Sequence, residues 1–337
     1  MIKVRQEKYP YLATRFRVRK SKLLKREEYE KMLKMDIYTL IKFLEEKGYE
    51  FEKIEEKNPF ELVERSVNIN LEKELSNILK ITHGNAKRIF EIYLLKYDIE
   101  NVKNLLRCKK LGNFQEEIFI CAGKLKREKI NTLKDSTIEE ILKALKFLSE
   151  KEIKKLAKWF EENRLIDIEN YIDKKYYGLI TEIANKLKKE GEILKKFLKL
   201  RLDIINLRIL LKFKHSKLSK EDVLKLFVFP GTISKKELEE LRSLELEEIH
   251  SKIVSRFGEF FKDIDIKSSP EELDAKLEVY HLKLVEKFMH TNPLSITPLI
   301  AYVIMKETEA RNIKLIARAK YYGLSENEIR KNLVIWQ

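Results

Sequence analysis

Glycine and proline are scarce in this 337-residue chain, with nine and six copies. Both punctuate turns and interrupt helices, so their scarcity excludes a turn-rich architecture and predicts long helices on short connections, an all-α protein. Cysteine is scarcer still. Cys108 and Cys121 are the whole complement, which excludes a disulfide framework. No Cys/His spacing suggests a metal site, so a reducing compartment is expected, with both thiols as small core residues. Long apolar runs are also missing. The apolar stretch 293–305 has 13 residues, where a bilayer needs roughly 20. The opening MIKVRQEKYPYLATRFRVRK lacks the apolar core of a secretory signal, so a protein that stays inside the cell is expected.

Known catalytic and phosphate-binding motifs are absent as well. There is no GxxxxGK[ST] loop, GxGxxG, GxSxG, HExxH or EF-hand loop, and no two of the five histidines stand at i, i+3 or i, i+4 spacing. No cofactor and no small-molecule substrate are expected. What the chain has is charge: 37% Asp, Glu, Lys and Arg, with 70 basic residues against 55 acidic and a formal net charge of +15. A Lys- and Glu-rich composition fits surface ion-pair networks and a thermophilic source. Only the basic surplus calls for a partner, and nucleic acid, anionic lipid and an acidic protein face all fit it. With 44% hydrophobic residues, the chain has enough apolar side chains to build two or three folded domains.

The chain repeats itself. Segments beginning at Asp98, Asp203 and Glu309 share the pattern acid-x-x-Asn-apolar-basic-x-apolar-x-basic-x-Lys, and their asparagines, Asn101, Asn206 and Asn312, are separated by 105 and 106 residues. The basic end of the motif is Arg107 and Lys109 in the first copy, Lys212 and Lys214 in the second, and Arg318 and Lys320 in the third. A second element begins at Leu24, Leu125 and Ile233, with Leu33, Leu133 and Leu241 in register. A third, weaker one places Ile172-Asp173 and Leu277-Glu278 about 30 residues before the later copies, while the corresponding region of the first copy, near Leu71-Glu72, is shifted by several residues. Three helical units follow, at 1–115, 116–225 and 226–337, with Pro230-Gly231 opening the third. The basic doublet recurs at Arg17-x-Arg19, so both termini carry the same piece, as expected if the first helix packs where the last unit meets it. A three-fold ring or an open solenoid accommodates such units.

On a helix, Ile99, Val102, Leu105 and Leu106 form one apolar stripe, with Asn101 at its edge. The simplest role for each Asn is an interhelical hydrogen bond at a partly buried site. A catalytic role for acid, Asn and Lys would require three equivalent sites, and no nucleophile or histidine accompanies them. The run RFRVRKSKLLKR carries Arg15, Arg17, Arg19 and Lys20 and resembles phosphate-neutralising helices, which makes a basic nucleic-acid-binding scaffold the alternative reading. No aromatic platform accompanies that run, and its apolar residues are needed for packing.

Taken together, YLATRFRVRKSKLLKREEYEKML, the threefold motif, FPGTISKKELEEL and ETEARNIKLIARAKYYGLSENEIRKNLV resemble the C subunit of archaeal A-type and bacterial V-type ATP synthases, the family of the eukaryotic vacuolar ATPase d subunit. The resemblance spans essentially the whole chain. It implies three similar helical domains about a pseudo-threefold axis, forming a funnel without catalysis of its own. It also implies a central-stalk subunit in a rotary, ion-transporting ATP synthase. Such a subunit sits peripherally on the cytoplasmic face of the membrane, as a socket between the proteolipid ring and the central-shaft subunits, with no nucleic-acid partner. Under that reading Arg15, Arg17, Arg19 and Lys20 are candidates for contact with the ring or with lipid headgroups.

Overall fold

The computed structural model describes residues 9–51, 58–187, 189–214, 220–229, 231–258, 261–262, 264–265 and 267–335. Among them every regular element is helical: sixteen α-helices and one 3-10 turn at Glu116–Ile118. His215, Pro230 and the side chain of Lys214 lie outside the described residues.

Six long helices come in three consecutive pairs: α4 (Pro59–Ile81) with α5 (Gly84–Leu111), α9 (Leu165–Lys186) with α10 (Lys189–Lys214), and α14 (Pro270–Thr291) with α15 (Thr297–Tyr321). Proline occupies the first turn of α4 and α14, where its missing N–H is not needed. The segment Thr82–Ala86 runs from the turn after α4 into the first residues of α5, and Gly84 there takes a positive φ of 57°. The asparagine motif lies on the second helix of each pair. Short helices follow each copy of the Leu24/Leu125/Ile233 element: α2 (Arg26–Lys34) and α3 (Ile37–Glu46), α6 (Arg127–Leu133) and α7 (Ile138–Lys143), α12 (Lys235–Ser243) and α13 (Leu246–Phe257). Their N-termini are capped locally. Asp36 accepts from two backbone N–H groups at the start of α3, and capping boxes open α7 (Thr137 with Glu140) and α12 (Ser234 with Glu237). The aligned leucines Leu33, Leu133 and Leu241 are all buried. The remaining helices are α1 (Tyr9–Lys20), α8 (Glu150–Glu161), α11 (Lys220–Leu226) and α16 (Glu326–Asn332).

The chain divides into two compact units. One comprises 35–180 with 316–322; the other comprises 9–34, 181–315 and 323–335 and so contains both described ends. In the first, the apolar stripe read from the sequence is buried through Ile99, Val102, Leu105 and Leu106. In the second, the core runs from Leu207 and Leu211 on α10 through Leu238 and Ile249 to Leu273 and Leu277 on α14. Phe16 on α1 is 1% exposed and packs on Tyr302 of α15.

Candidate functional site

The three motif copies build one device three times, a latch in which an acid and an asparagine one turn apart on a long helix seize a distant loop backbone. Asn101 donates from Nδ2 to the Ile120 carbonyl (2.8 Å) and accepts from the Ile120 N–H at Oδ1 (3.1 Å). Asn206 does the same to Val228 at 2.8 and 2.9 Å, and Asn312 to Val334 at 2.9 and 3.0 Å. The partners lie 19, 22 and 22 residues downstream. The asparagines therefore bond to extended backbone after a short helical segment, not to a neighbouring helix as their spacing had suggested. An amide offers one donor and one acceptor at the right separation to mimic a strand neighbour, and all three are essentially fully buried.

The first two acids hold the next stretch of the same loops, and the third holds a segment at the other described end. Asp98 accepts the Lys124 N–H at Oδ2 (3.0 Å) and the Leu125 N–H at Oδ1 (2.8 Å). Asp203 takes both the Thr232 and Ile233 N–H groups on Oδ1, at 2.7 and 2.9 Å, and the Thr232 hydroxyl on Oδ2. Glu309 accepts the Leu24 N–H at 2.6 Å, while its other oxygen takes Lys306 Nζ at 2.6 Å. Burial raises the Asp98 and Asp203 carboxyls above the ordinary carboxylate value, and the backbone N–H groups pull in the opposite direction. The third latch thus ties residues from both described ends, Leu24 and Val334, to one helix.

Glycine makes the first two latches possible. A Cβ on Gly123 would stand 2.1 Å from Asp98 Oδ1, and one on Gly231 would stand 2.3 Å from Asp203 Oδ1. Both glycines lie two residues before the captured Leu125 or Ile233. The corresponding position before Leu24 is Lys22, and there the acid is the longer Glu309.

The basic end of each motif forms a second recurring feature, an ion-pair ladder. Arg107 makes a two-pronged pair with Glu169 on α9 at 2.7 and 2.7 Å, Lys212 pairs with Asp274 on α14 at 2.7 Å, and Arg318 pairs with Glu64 on α4 at 2.8 Å. One turn earlier, Lys103 meets Asp173 at 2.6 Å, and Arg208 pairs with Glu278. Glu64, Glu169 and Asp274 stand 105 residues apart. This register puts Val67-Asn68 in the place of Ile172-Asp173 and Leu277-Glu278, one helical turn before the Leu71-Glu72 expected from the sequence. Although burial opposes it, Glu100 and Asp173 hold the Lys103 ammonium above its ordinary value, and burial raises Asp173. At the other ladder, Arg201 above all, with His281 and Arg208, holds Glu278 well below the carboxylate range against the effect of burial.

The other sequence candidates are spread over surfaces. Lys109 is exposed and Lys320 half-buried. On α1, Arg15 donates to the Tyr11 hydroxyl at 2.9 Å, Lys20 is paired with Glu286, Arg19 lies over the Phe16 ring, and Arg17 is exposed. A cleft of about 580 Å³ between α4 and the loop before α6 is lined by Glu72, Lys73, Lys80, Cys121, Lys126 and Arg127. Burial, then Glu72, pushes the Cys121 thiol up to about 11, which makes it a poor nucleophile. Among the described residues no group of three or more His, Cys, Asp and Glu side chains is placed to hold a metal ion, and no helix is long and apolar enough to cross a membrane. The arrangement is suited to holding backbone in place.

The ladder acids Glu169 and Asp274 and the glycine Gly123 were not singled out from the sequence, although Glu169 and Asp274 keep the 105-residue spacing; Asp173 and Glu278 were aligned only as a weak repeat, and Gly231 only as the opening of the third unit.

Comparison with known proteins gives one consistent result. The family described as ATP synthase (C/AC39) subunit matches residues 12–332. A protein of Methanococcoides burtonii, named as the C subunit of an A-type ATP synthase, is 32% identical, covering 97% of this chain and 94% of its own length. Proteins of the same name from Methanosarcina acetivorans (32%, 97% and 93%) and Methanosarcina barkeri (31%, 97% and 93%) are similar along the same span.

Proposed function

The chain belongs to the ATP synthase (C/AC39) subunit family, and from that membership we propose that it is a non-catalytic central-stalk subunit of a rotary A-type ATP synthase. In this reading it is a socket between the membrane proteolipid ring and the central shaft, peripheral on the cytoplasmic face. The shaft and the ring meet at a part that transmits rotation, and such a part needs stiffness more than a reactive site. The observation that carries the reading is the threefold latch, whose third copy fastens Leu24 and Val334 to the helix bearing Glu309 and Asn312. Each copy replaces loop freedom with buried hydrogen bonds, and the recurrence at 105 and 106 residues supports three homologous helical domains near 1–115, 116–225 and 226–337. The Lys- and Glu-rich surface, with its many ion pairs, supports a protein working at high temperature. The comparisons lend no support to the nucleic-acid-binding alternative.

The test is reassembly of the complex in lipid vesicles with and without this chain. Without it, the catalytic head is expected to keep hydrolysing ATP when supplied free, while ATP-driven ion uptake is lost and returns on adding the chain. Uptake that is unchanged by its omission would sink the reading.

A further inference from the structure

Helix α1 holds two large exposed apolar side chains, and both lie on one stripe. Tyr11 is 58% exposed and Val18 55%. At 100° per residue, Tyr11, Arg15 and Val18 fall within about 60° of one another around the helix, and Lys22 continues their line in the turn that closes α1. The opposite side anchors the helix, with Tyr9, Leu12, Ala13 and Phe16 buried. Packing therefore consumes one apolar face of α1 and leaves Tyr11 and Val18 pointing away from the core.

The same segment carries charge of one sign. From Tyr9 to Arg26 the sequence holds seven basic residues and no acid. Two of the four cations singled out from the sequence are occupied, since Lys20 is paired with Glu286 and Arg19 lies over the Phe16 ring. The other two are available. Arg15 donates to the Tyr11 hydroxyl, itself on the exposed stripe, and Arg17 is exposed, as is Lys22; neither makes a side-chain hydrogen bond or ion pair among the described residues. By the same helical geometry, Arg15 and Lys22 flank the Tyr11–Val18 line on one side and Arg17 on the other.

This face offers cations for phosphates and, between them, a phenol ring and a branched aliphatic side chain. A nucleic acid or an acidic peptide would use the cations and leave Val18 in water. The boundary of an anionic bilayer uses both: its headgroups attract basic residues, and the layer beneath them accepts tyrosine and valine. Arginine and tyrosine suit that boundary because each joins an apolar body to a polar tip.

We propose that the exposed face of α1 bearing Tyr11, Arg15, Arg17, Val18 and Lys22 is a docking surface for an anionic lipid bilayer. The inference deepens the peripheral reading and rests on it only for which membrane the face meets. Bare vesicles test the face without ring or shaft, so its failure leaves the socket role standing, and failure of the socket role leaves vesicle binding standing.

The experiment sediments the full chain with phosphatidylcholine vesicles, with and without phosphatidylglycerol, at low and high salt. Binding is expected only where phosphatidylglycerol is present, and it falls as salt rises. Arg15→Glu and Arg17→Glu should each weaken it at least fivefold, and Val18→Ser, which changes no charge, at least threefold. Lys110→Glu and Leu111→Ser make the same kinds of change at the exposed end of α5 and should each change it less than twofold. Thermal melts confirm that each variant remains folded. The proposal is overturned if phosphatidylglycerol vesicles are not bound, if pure phosphatidylcholine is bound as well, or if the α5 variants lose as much as those on α1. It is also overturned if Val18→Ser binds like the unmodified chain, if inorganic phosphate releases the vesicles where sodium chloride of equal ionic strength does not, or if a single-stranded oligonucleotide binds more tightly with the same variant pattern.

Discussion

Asp98, in the unit built from 35–180, and Glu309, in the unit holding both described chain ends, capture the same kind of loop backbone from different distances. Asp98 lies against Gly123 and takes two successive N–H groups, those of Lys124 and Leu125. Glu309 faces a loop with Lys22 where the glycine would be and takes one N–H, that of Leu24. The Leu23 N–H there is already used by the Lys20 carbonyl at 3.1 Å, closing the end of α1. Side-chain length on the helix and the Cβ on the loop are alternative ways to fill one gap. Where the loop has no Cβ the acid is short, and where it has one the acid gains a methylene.

The sharpest way to break that relation is Gly123→Ala. The new methyl carbon would lie 2.1 Å from Asp98 Oδ1 and 2.7 Å from Oδ2, so the buried carboxylate must leave its two donors. Overpacking and lost charged hydrogen bonds together cost about 4 kcal/mol. The same substitution at Gly178, inside α9 with nothing within 4 Å of the added carbon, should instead stabilise by about 0.5–1 kcal/mol through helix propensity. Chemical denaturation of both variants checks this, and equal effects would remove the steric account of the first latch.

The two aspartate latches differ in how their oxygens are used, and amide substitution separates them. Asp98 spends one oxygen on each N–H, so Asp98→Asn turns an NH2 group against a backbone donor and should cost about 2 kcal/mol. Asp203 collects both N–H groups on Oδ1 and the Thr232 hydroxyl on Oδ2. In Asp203→Asn the amide oxygen keeps both N–H groups while the hydroxyl rotates to accept, at a cost below about 1 kcal/mol. A larger loss at 203 than at 98 in urea titrations would contradict the assigned oxygen roles.

Part of this was legible from sequence and part was not. Scarce glycine and proline announced the helices, and the 105- and 106-residue spacing of Asn101, Asn206 and Asn312 announced the repeat. What the asparagines hold was hidden, because their partners are backbone groups of Ile120, Val228 and Val334, and any residue type carries those groups. Gly123 and Gly231 did leave a signal, each standing two residues before the aligned Leu125 or Ile233. It was easily missed because the third copy has Lys22. The ladder was legible in principle, since adding 105 to Lys103, Arg107, Glu169 and Asp173 lands on a like-charged residue every time. Its copy on α4 was displaced by a turn because Asn68 replaces the acid there, which made Leu71-Glu72 the better match by residue type.

The length relation itself is tested by Glu309→Asp. Shortening the side chain by one carbon withdraws the carboxylate from the Leu24 N–H and should cost about 1.5 kcal/mol. Adding Lys22→Gly, which removes the Cβ that the longer acid accommodates, should recover about half of it. Lys22→Gly alone should be mildly destabilising, through chain entropy. Unfolding free energies of the two single variants and the double variant give the coupling directly, and additive losses would refute the exchange of length for Cβ.

The smallest effect concerns the units' ladders and appears only on changing pH. His281 in the second ladder stands where Tyr176 stands in the first, 105 residues earlier, so at this position the second unit buries an imidazole and the first a phenol. The imidazole is 3% exposed, and Arg201 Nη1 lies 3.2 Å from Nδ1. Its folded-state value is lowered to about 4, while the unfolded chain binds the proton near pH 6.5. The folded state therefore binds fewer protons below neutrality. The stability that the neutral ring contributes is complete above about pH 6.5 and is lost as pH falls towards 4. At pH 5.5 the loss is about 1 kcal/mol, or about 3 °C in Tm. His281→Gln keeps an acceptor for Arg201 without the titration, so its Tm should fall about 3 °C less than that of the unmodified chain between pH 7.5 and 5.5. Identical drops in the two proteins would show that the ring does not stay neutral in the folded unit.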